Sequence, residues 1–400
     1  MTIKNKVAAV ATSAALLAST ALPAFASVTG VSSNNTTGAD SKNVSTVNVD
    51  QTTVLTQENK ADIDNDINIQ LNTGRNNANK NNGGGDIQTG DAQWSVGVAN
   101  VANQNSADLD VCGGCDFGIL AGSEKTGADS TNRAAVDVSK TNEIFQENAA
   151  KVDNDTDVKV NTGDNNANKN SYGGYILGGD IVGVTSVATD VNRNMAILGG
   201  NGAGAYLESN NSETGADSTN HAKISAVFDN VVSQQNNADV ENDTELVLNT
   251  GRNNANANNG GGDILGGSVA TGLSYFTYAN GNALDFDGCC DVAFSSDNHK
   301  TGADSSNVSA ATLVTGLQAF QENCADPVFK NSRGCNIDNE VNGAINTGDN
   351  NTNKNNADAN ISGEIVGDVV VDTMTNENSM GDVSWDMSDS LAYWMFSMML

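Results

Sequence analysis

The chain has 400 residues, with 49 acidic and 19 basic side chains, 41 glycines, 60 asparagines, only two prolines and a net charge of −30 at pH 7. Such a charge repels nucleic acids and anionic membrane surfaces, so it argues against a nucleic-acid-binding protein and favours cations or basic partners. Disordered chains share the polar composition, but they are usually rich in proline and do not keep long repeats in register. We therefore expect an ordered protein.

Residues 1–26 have the pattern of a secretory signal peptide. Lys4 and Lys6 precede an apolar run from Val7 to Leu22, and the small residues of "AFA" predict cleavage after Ala26. The run is short and rich in Ala, Ser and Thr, which argues against a membrane anchor. We expect a mature chain that is secreted or held at the cell surface and has no transmembrane segment.

Marker sequences recur along the rest of the chain. "TGADSKN" at Thr37 returns as "TGADSTN" at Thr126 and Thr214 and as "TGADSSN" at Thr301, and "NTGRNNANKNNGGGDI" from Asn72 has a relative in every unit. Long repeats of this kind are typical of solenoids and of tandem domains. Residues 27–380 thus form four units of about 88 residues that begin near residues 37, 126, 214 and 301, and residues 381–400 form a tail.

Each unit is predicted to consist of β-strands. Apolar and polar residues alternate in "IDNDINIQL" from Ile63, as they do in a strand with one buried face. The segment "TNEIFQENAAKV" from Thr141 resembles a helix, but its counterpart "QTTVLTQENKADI" from Gln51 is rich in β-branched residues. We therefore predict an all-β protein.

The predicted fold is a β-solenoid (parallel β-helix) in which each unit winds through about four coils of some 20 to 25 residues, giving a long rod. Tandem β-sandwich domains are the alternative, but they need a denser core than the many inward Ala, Val and Asn residues supply. No Pro- or Ser-rich linker separates the units. "QENKADID" at Gln57 also returns as "QNSADLDV" at Gln104, and such an echo within one unit favours coils.

Asparagine and glycine tolerate positive φ and therefore suit the corners between strands. The central Asn of each "DND" motif shares the parity of the apolar residues, and an unpaired buried amide costs about 1–3 kcal/mol. We therefore predict that these amides stack from coil to coil as a ladder. The ladder residues are Asn65, Asn154, Asn242 and Asn339.

The repeat style resembles curlin-type and other Asn/Gln-ladder surface repeats of bacteria. The residues that carry the resemblance are Gln57, Asn59 and Ala61, then Gln104, Asn105 and Ala107, and the "NNAN" at Asn76. It covers the style of the repeat and not its length. It implies self-assembly into an extracellular fibre or matrix, alone or with other cell-surface components.

Acidic residues flank each ladder Asn and are predicted to lie on the outer face of one strand. Paired carboxylates with nearby amide and carbonyl oxygens suit Ca²⁺, although the loops lack the order of an EF-hand. Solvated surface charge is the alternative, and we expect no cofactor other than structural calcium. The candidate ligands are Asp64, Asp66, Asp153, Asp155, Glu241, Asp243, Asp338 and Glu340.

The six cysteines predict disulfides. Cys324 and Cys335 bracket an insertion in the fourth unit, and a bond between them would close it in an exported protein. The motifs "CGGC" and "CC" occupy the same loop of units one and three, where a loop-closing disulfide competes with a redox or zinc site. Their separation along a long solenoid argues against pairing within one chain. These cysteines are Cys112, Cys115, Cys289 and Cys290.

No catalytic motif is present, and the units are too alike for one to carry an active site, so we do not expect an enzyme. The sequence favours a structural adhesin, fibre or coat component. The alternative is a calcium-dependent module that binds polysaccharide, and a β-helix polysaccharide-degrading enzyme ranks below it. The apolar tail "LAYWMFSMML" from Leu391 would cap the last coil or dock on a partner. Candidate sugar platforms are Tyr172, Tyr175, Tyr275 and Tyr278.

Overall fold

The computed structural model describes residues 5–21, 28–110, 117–199, 205–286, 292–324, 335–355 and 357–381. These residues form an all-β structure of parallel strands and contain no helix, so none of them forms a helix that could span a membrane. The strands are β1 Asn5–Ala21, β2 Val28–Thr37, β3 Lys42–Asn72, β4 Gly85–Gln88, β5 Ala92–Asp110, β6 Phe117–Thr126, β7 Thr131–Asn161, β8 Gly174–Leu177, β9 Ile181–Gly199, β10 Tyr206–Thr214, β11 Thr219–Asn249, β12 Gly261–Leu265, β13 Val269–Phe286, β14 Ala293–His299, β15 Ser306–Asn323, β16 Asn336–Asn346, β17 Ala357–Ile361 and β18 Ile365–Met380.

The strands pair into four parallel sheets. Sheet I has the order β2-β6-β10-β14, and sheet II has the order β3-β7-β11-β15 with β16 also beside β11. Sheet III has the order β4-β8-β12-β17, and sheet IV has the order β1-β5-β9-β13-β18. Coil one therefore comprises β2 to β5, coil two β6 to β9, coil three β10 to β13 and coil four β14 to β18. The predicted solenoid is confirmed as a fold class.

Each 88-residue unit forms a single coil. Asn65 lies beside Asn154, Asn154 beside Asn242 and Asn242 beside Asn339, in register along sheet II. The prediction of about four short coils per unit is therefore wrong. The strands are far longer than the sequence suggested, since β3 alone has 31 residues without a turn. Its β-branched and polar residues keep alternating over the whole strand, although coils of 20 to 25 residues would require corners within it.

The long coils make the stack broad and shallow. Parallel strands lie ~4.8 Å apart and rise ~3.3 Å per residue, so four coils span about 14 Å between first and last, whereas β3 is about 100 Å long. The expected rod is thus replaced by a flat slab. Its height is set by the number of coils and its breadth by the length of one unit.

The interior lies between sheet II and the two sheets that face it. One apolar cluster joins sheet II to sheets I and IV around Ile144 and Leu198, and a second joins sheets II and IV around Trp94 and Leu248. A third small cluster of Ala and branched residues lies between them, around Val152. Sheet III packs around Ile176 at the asparagine-rich corner. The segment from Thr141 lies within β7, so its prediction as strand is confirmed.

β1 lies inside the predicted signal peptide. It pairs in parallel with β5 over Ala92–Ala107 and so forms the first strand of sheet IV. Cleavage after Ala26 remains a prediction, and it would remove this strand. The apolar tail from Leu391 lies outside the described residues.

Candidate functional site

The predicted ladder residues form one column through sheet II. Asn65 Nδ2 donates to Asn154 Oδ1 at 2.8 Å, Asn154 Nδ2 to Asn242 Oδ1 at 2.6 Å, and Asn242 Nδ2 to Asn339 Oδ1 at 2.7 Å. Asn100 joins the column from sheet IV, because its Nδ2 donates to Asn154 Oδ1 at 2.9 Å. The amides satisfy one another where water is excluded, which removes the cost of burying them.

The echo within each unit has a structural meaning. Its two copies face each other across the interior, and Asn59 Nδ2 donates to Asn105 Oδ1 at 2.7 Å. Gln57 Nε2 likewise reaches the backbone carbonyl of Ser106 at 3.0 Å. The echo thus records amides on opposite walls of one coil and not the steps of successive coils. The glutamines also form a column of their own, in which Gln146 Nε2 donates to Gln57 Oε1 at 2.8 Å.

The structure also contains amide columns that the sequence did not predict. One lies in the "TGADS" marker, where Asn132 Nδ2 donates to Asn220 Oδ1 at 2.8 Å. Another lies in sheet IV, where Asn192 Nδ2 donates to Asn280 Oδ1 at 3.0 Å. Both residues adopt positive φ, 62° at Asn192 and 63° at Asn280. The sequence did contain a signal for this column. An asparagine recurs at the same place in every unit, at a position that does not follow the alternation of inward residues before it.

The expectation that Asn and Gly supply the positive φ at the corners holds in the asparagine-rich corner of coil two for Gly173, with φ of 123°. The left-handed positions directly after the first corner glycine differ from it, because they are charged, with φ of 59° at Arg75 and 58° at Asp164. The corner glycines serve a different purpose, because a Cβ on Gly163 would lie 2.0 Å from the carbonyl oxygen of Gly251. Glycine is required there so that successive coils can approach closely.

The candidate calcium ligands form two columns on the outer face of sheet II. One column stacks Asp64, Asp153, Glu241 and Asp338, and the other stacks Asp66, Asp155, Asp243 and Glu340. No cluster of three or more His, Cys, Asp or Glu side chains suited to a metal ion occurs within the described ranges. Calcium binding remains a prediction.

Carboxylates in the two columns lie close enough to raise the pKa of some of their neighbours. Partial burial, followed by the nearby carboxylates of Asp66 and Asp153, raises the pKa of Asp155 above 3.8. Burial and the charges of Glu340 and Asp155 raise the pKa of Asp243 in the same way. The pKa of Glu241 is raised above 4.5, again by burial first and by Asp153 and Asp243 after it. The face therefore favours protons or cations.

Cys324 and Cys335 form the predicted disulfide, with Cα atoms 5.1 Å apart. Asn323 is in register with Asn236 and Asn336 with Asp239, so the two cysteines take the places of the consecutive residues Asn237 and Ala238 of coil three. The bond closes the insertion at its base, so β15 and β16 remain adjacent in coil four. Sheet II therefore keeps its register on both sides of the extra residues.

The remaining cysteines, Cys112, Cys115, Cys289 and Cys290, lie outside the described residues. The predicted long separation of the two pairs is wrong, because each unit forms one coil and not about four. The strand ends that lead to them, in β5 and β13, are only two coils apart in sheet IV. That separation is about 10 Å, so distance along the solenoid no longer decides their pairing.

The aromatic residues proposed as sugar platforms divide into two groups. Tyr172 and Tyr175 are exposed at the corner of coil two, whereas Tyr275 and Tyr278 are buried. The hydroxyl of Tyr275 contacts Thr244 Oγ1 in the interior. Tyr275 and Tyr278 are therefore not available as sugar platforms, because Tyr275 shares the inward parity of its strand and the Tyr278 ring is covered by Arg193.

One charged cluster on sheet IV was also not foreseen. Arg193 Nε lies 2.7 Å from Asp190 Oδ1, and its guanidinium carbon lies 4.1 Å from the ring centre of Tyr278. The Tyr278 hydroxyl donates to Glu377 Oε2 at 3.1 Å. Burial raises the pKa of Asp190, and Arg193 partly opposes this shift. The cluster ties together coils two, three and four.

Comparison of the chain with protein-family models, with curated proteins and with solved structures gave no match.

Proposed function

We propose that the mature chain is a structural protein of the cell exterior, a fibre, coat or adhesin subunit that acts as an acidic scaffold. The observation that carries the proposal is the continuity of the buried amide columns. Three 2.8 Å bonds between side-chain amides join the glutamine column through all four coils, from Gln321 to Gln234, from Gln234 to Gln146 and from Gln146 to Gln57. Because the same glutamine contact recurs at every junction between coils, it supports a role in which the coil itself is the functional unit.

Electron microscopy of the purified mature chain tests this proposal. Negative-stain images are expected to show assemblies larger than one slab after incubation at micromolar concentration. Dispersed single particles across a range of pH, salt and protein concentration would contradict a fibre or coat role. Binding of the chain to intact cells would support an adhesin instead.

The second candidate is the calcium-dependent module that binds polysaccharide. It is favoured by the two carboxylate columns, in which burial first and neighbouring carboxylates after it raise the pKa of Asp155, Glu241 and Asp243, because a bound divalent cation would offset the charge of those neighbours. Melting curves in Ca²⁺ and in EDTA separate the candidates. A melting temperature that falls by several degrees in EDTA, and not in a variant with Asp155→Asn and Asp243→Asn, would favour the second candidate.

A further inference from the structure

Among the described residues, the coil stack ends at its C-terminal side in an edge that no further strand covers. This edge is formed by β14 to β18 and is here called the trailing edge. Val369 and Val371 of β18 have the inward parity but are 58% and 51% exposed. Leu273 and Tyr275, their partners in coil three, are 4% and 2% exposed. Within the described ranges no strand lies beyond β18 in sheet IV or beyond β15 in sheet II. Apolar side chains and a long row of backbone groups are therefore exposed together.

The opposite side, the leading edge, is formed by β2 to β5. In sheet IV this edge already carries a strand, because β1 pairs in parallel with Ala92–Ala107. The register through β9 and β13 aligns Ala92–Ala107 with Ile365–Met380 of β18. β1 thus occupies the place that a strand equivalent to β18 would fill. The edge of β5 accepts a parallel strand over this span.

The two edges also carry complementary charges at the asparagine-rich corner. Arg75, Asp164, Arg252 and Asp349 occupy equivalent left-handed positions in successive coils. The charges alternate along this column, and Arg75 Nε lies 3.8 Å from Asp164 Oδ2. The trailing edge ends with Asp349 and the leading edge begins with Arg75. An additional coil one placed after coil four would continue the alternation.

We propose that the trailing edge of one copy pairs with the leading edge of a second copy, head to tail and in parallel. In this arrangement β18 takes the place that β1 holds here, so the predicted loss of residues 1–26 frees the site. The contact is heterologous and does not close, and it therefore extends into a filament. The inference rests on the proposed function and adds the two surfaces and their register.

Pairing of two trailing edges is the competing arrangement. It would join two edges that both end in Asp349, so neither edge supplies the arginine that continues the alternation, and it would require antiparallel strands. Asn339 would also lose the in-register amide partner that every other junction in the column supplies. The alternating corner and the uniform parallel register both favour the head-to-tail contact.

Prolines can block each edge separately, because proline lacks an N–H and is tolerated where the N–H faces away from a partner strand. Thr131 N donates to Ser41 O at 2.8 Å, and Ser306 N donates to Ser218 O at 2.9 Å. In sheet II, residues at the parity of Thr131 and Ser306 therefore point their N–H groups toward the preceding coil. Val44 and Val54 share that parity in coil one. Ala311 and Thr315 have the opposite parity in coil four.

The experiment uses two variants of the mature chain. Variant L carries Val44→Pro and Val54→Pro, which block the leading edge, and variant T carries Ala311→Pro and Thr315→Pro, which block the trailing edge. Matched controls carry Val44→Ala with Val54→Ala, or Ala311→Ser with Thr315→Ser, and keep every N–H. Circular dichroism checks that each variant folds, and light scattering with analytical ultracentrifugation measures the assemblies.

We expect the unmodified chain and both controls to form filaments, and variants L and T to remain monomeric when kept apart. Mixing L with T should give dimers of one copy of each, at least tenfold more abundant than dimers of either variant alone. Homodimers of variant L would show that trailing edges pair with each other and would overturn the proposal. Filaments of unchanged yield from L or T would also overturn it, while leaving the proposed function intact.

Two other outcomes separate the remaining possibilities. If the unmodified chain assembles only after residues 382–400 are deleted, the tail is the occupant of the trailing edge, and the proposal of a second copy fails. If neither chain assembles under any condition, the proposed fibre or coat function fails first. A variant that misfolds by circular dichroism is replaced by one with a single proline, at Val44 or Ala311.

Discussion

At the scale of single residues, stability is concentrated in amides that would be costly to bury alone. Asn154 and Asn242 are both buried, and each makes side-chain bonds in two directions along its column. A lone Asn in such a place would favour unfolding. A full column reverses this effect, because each amide presents a donor to one neighbour and an acceptor to the other.

Asn154→Ala tests the column directly. The change removes the amide to which Asn65, Asn100 and Asn242 are all hydrogen-bonded. We therefore expect the free energy of unfolding to fall by about 2–3 kcal/mol. Urea denaturation followed by circular dichroism measures the loss. The control is Asn68→Ala on the outer face of β3, which should cost less than about 0.5 kcal/mol. An equal loss of unfolding free energy in both variants would show that the buried column stabilises the fold no more than an exposed asparagine does.

At the scale of elements, the sequence predicted the buried faces of the strands and the disulfide correctly but the length of one coil wrongly. The parity of Ile63 and Asn65 identified the buried face of β3, and the placement of Cys324 and Cys335 around an insertion identified the disulfide. The coil length was missed because the echo at Gln104 was read as a step along the axis. Alternation within a strand specifies its face but not its partner, so it could not show that the two walls of one coil face each other.

The outer face of sheet II should make stability depend on pH. Folding raises the pKa of Asp155, Glu241 and Asp243, so the folded state binds protons more tightly than the unfolded chain does. Their favourable contribution is complete below the ordinary values of 3.8 and 4.5 and is lost as pH rises through the raised values.

We therefore expect the melting temperature to rise when the pH is lowered from 7 to about 4.5, with differential scanning calorimetry as the measurement. Asp155→Asn with Asp243→Asn should flatten this dependence and raise the melting temperature at pH 7. A chain that melts at lower temperature at pH 4.5, with the same slope in the variant, would contradict the role assigned to the columns.

The disulfide should matter only as long as the insertion is present. Cys324→Ser with Cys335→Ser is expected to lower the free energy of unfolding by about 2–3 kcal/mol, because the loop between them is no longer closed. Replacing residues 324–335 by Asn-Ala, the pair found in coil three, should restore the stability without any thiol. Urea denaturation with and without reductant measures both. Unchanged stability after the serine substitutions would show that coil four holds its register unaided.

At the scale of the whole molecule, the described residues form a slab that is four coils high and about as broad as β3 is long. The backbone groups that no neighbouring strand covers lie mostly on its two edges. Natural proteins usually cover or shorten such edges, since exposed strands recruit others. Here β3 and β15 run along opposite edges with matching amide positions, for example Gln57 and Gln321. An even number of alternating corner charges leaves opposite signs at the two ends, and this makes the polarity of assembly testable by charge alone.

Asp349→Arg places a guanidinium opposite Arg75 of the next copy, and Arg75→Asp places a carboxylate opposite Asp349 of the preceding copy. Each variant alone should need a two- to fivefold higher concentration to assemble, a modest effect because exposed ion pairs contribute about 0.2–1 kcal/mol. An equimolar mixture should recover the unmodified critical concentration, since alternating copies restore a pair of opposite charges at every junction. Changes within each chain are the same in the mixture, so they cannot produce this recovery. Light scattering measures the critical concentration, and a mixture no better than its components would exclude the contact between Arg75 and Asp349 from the junction.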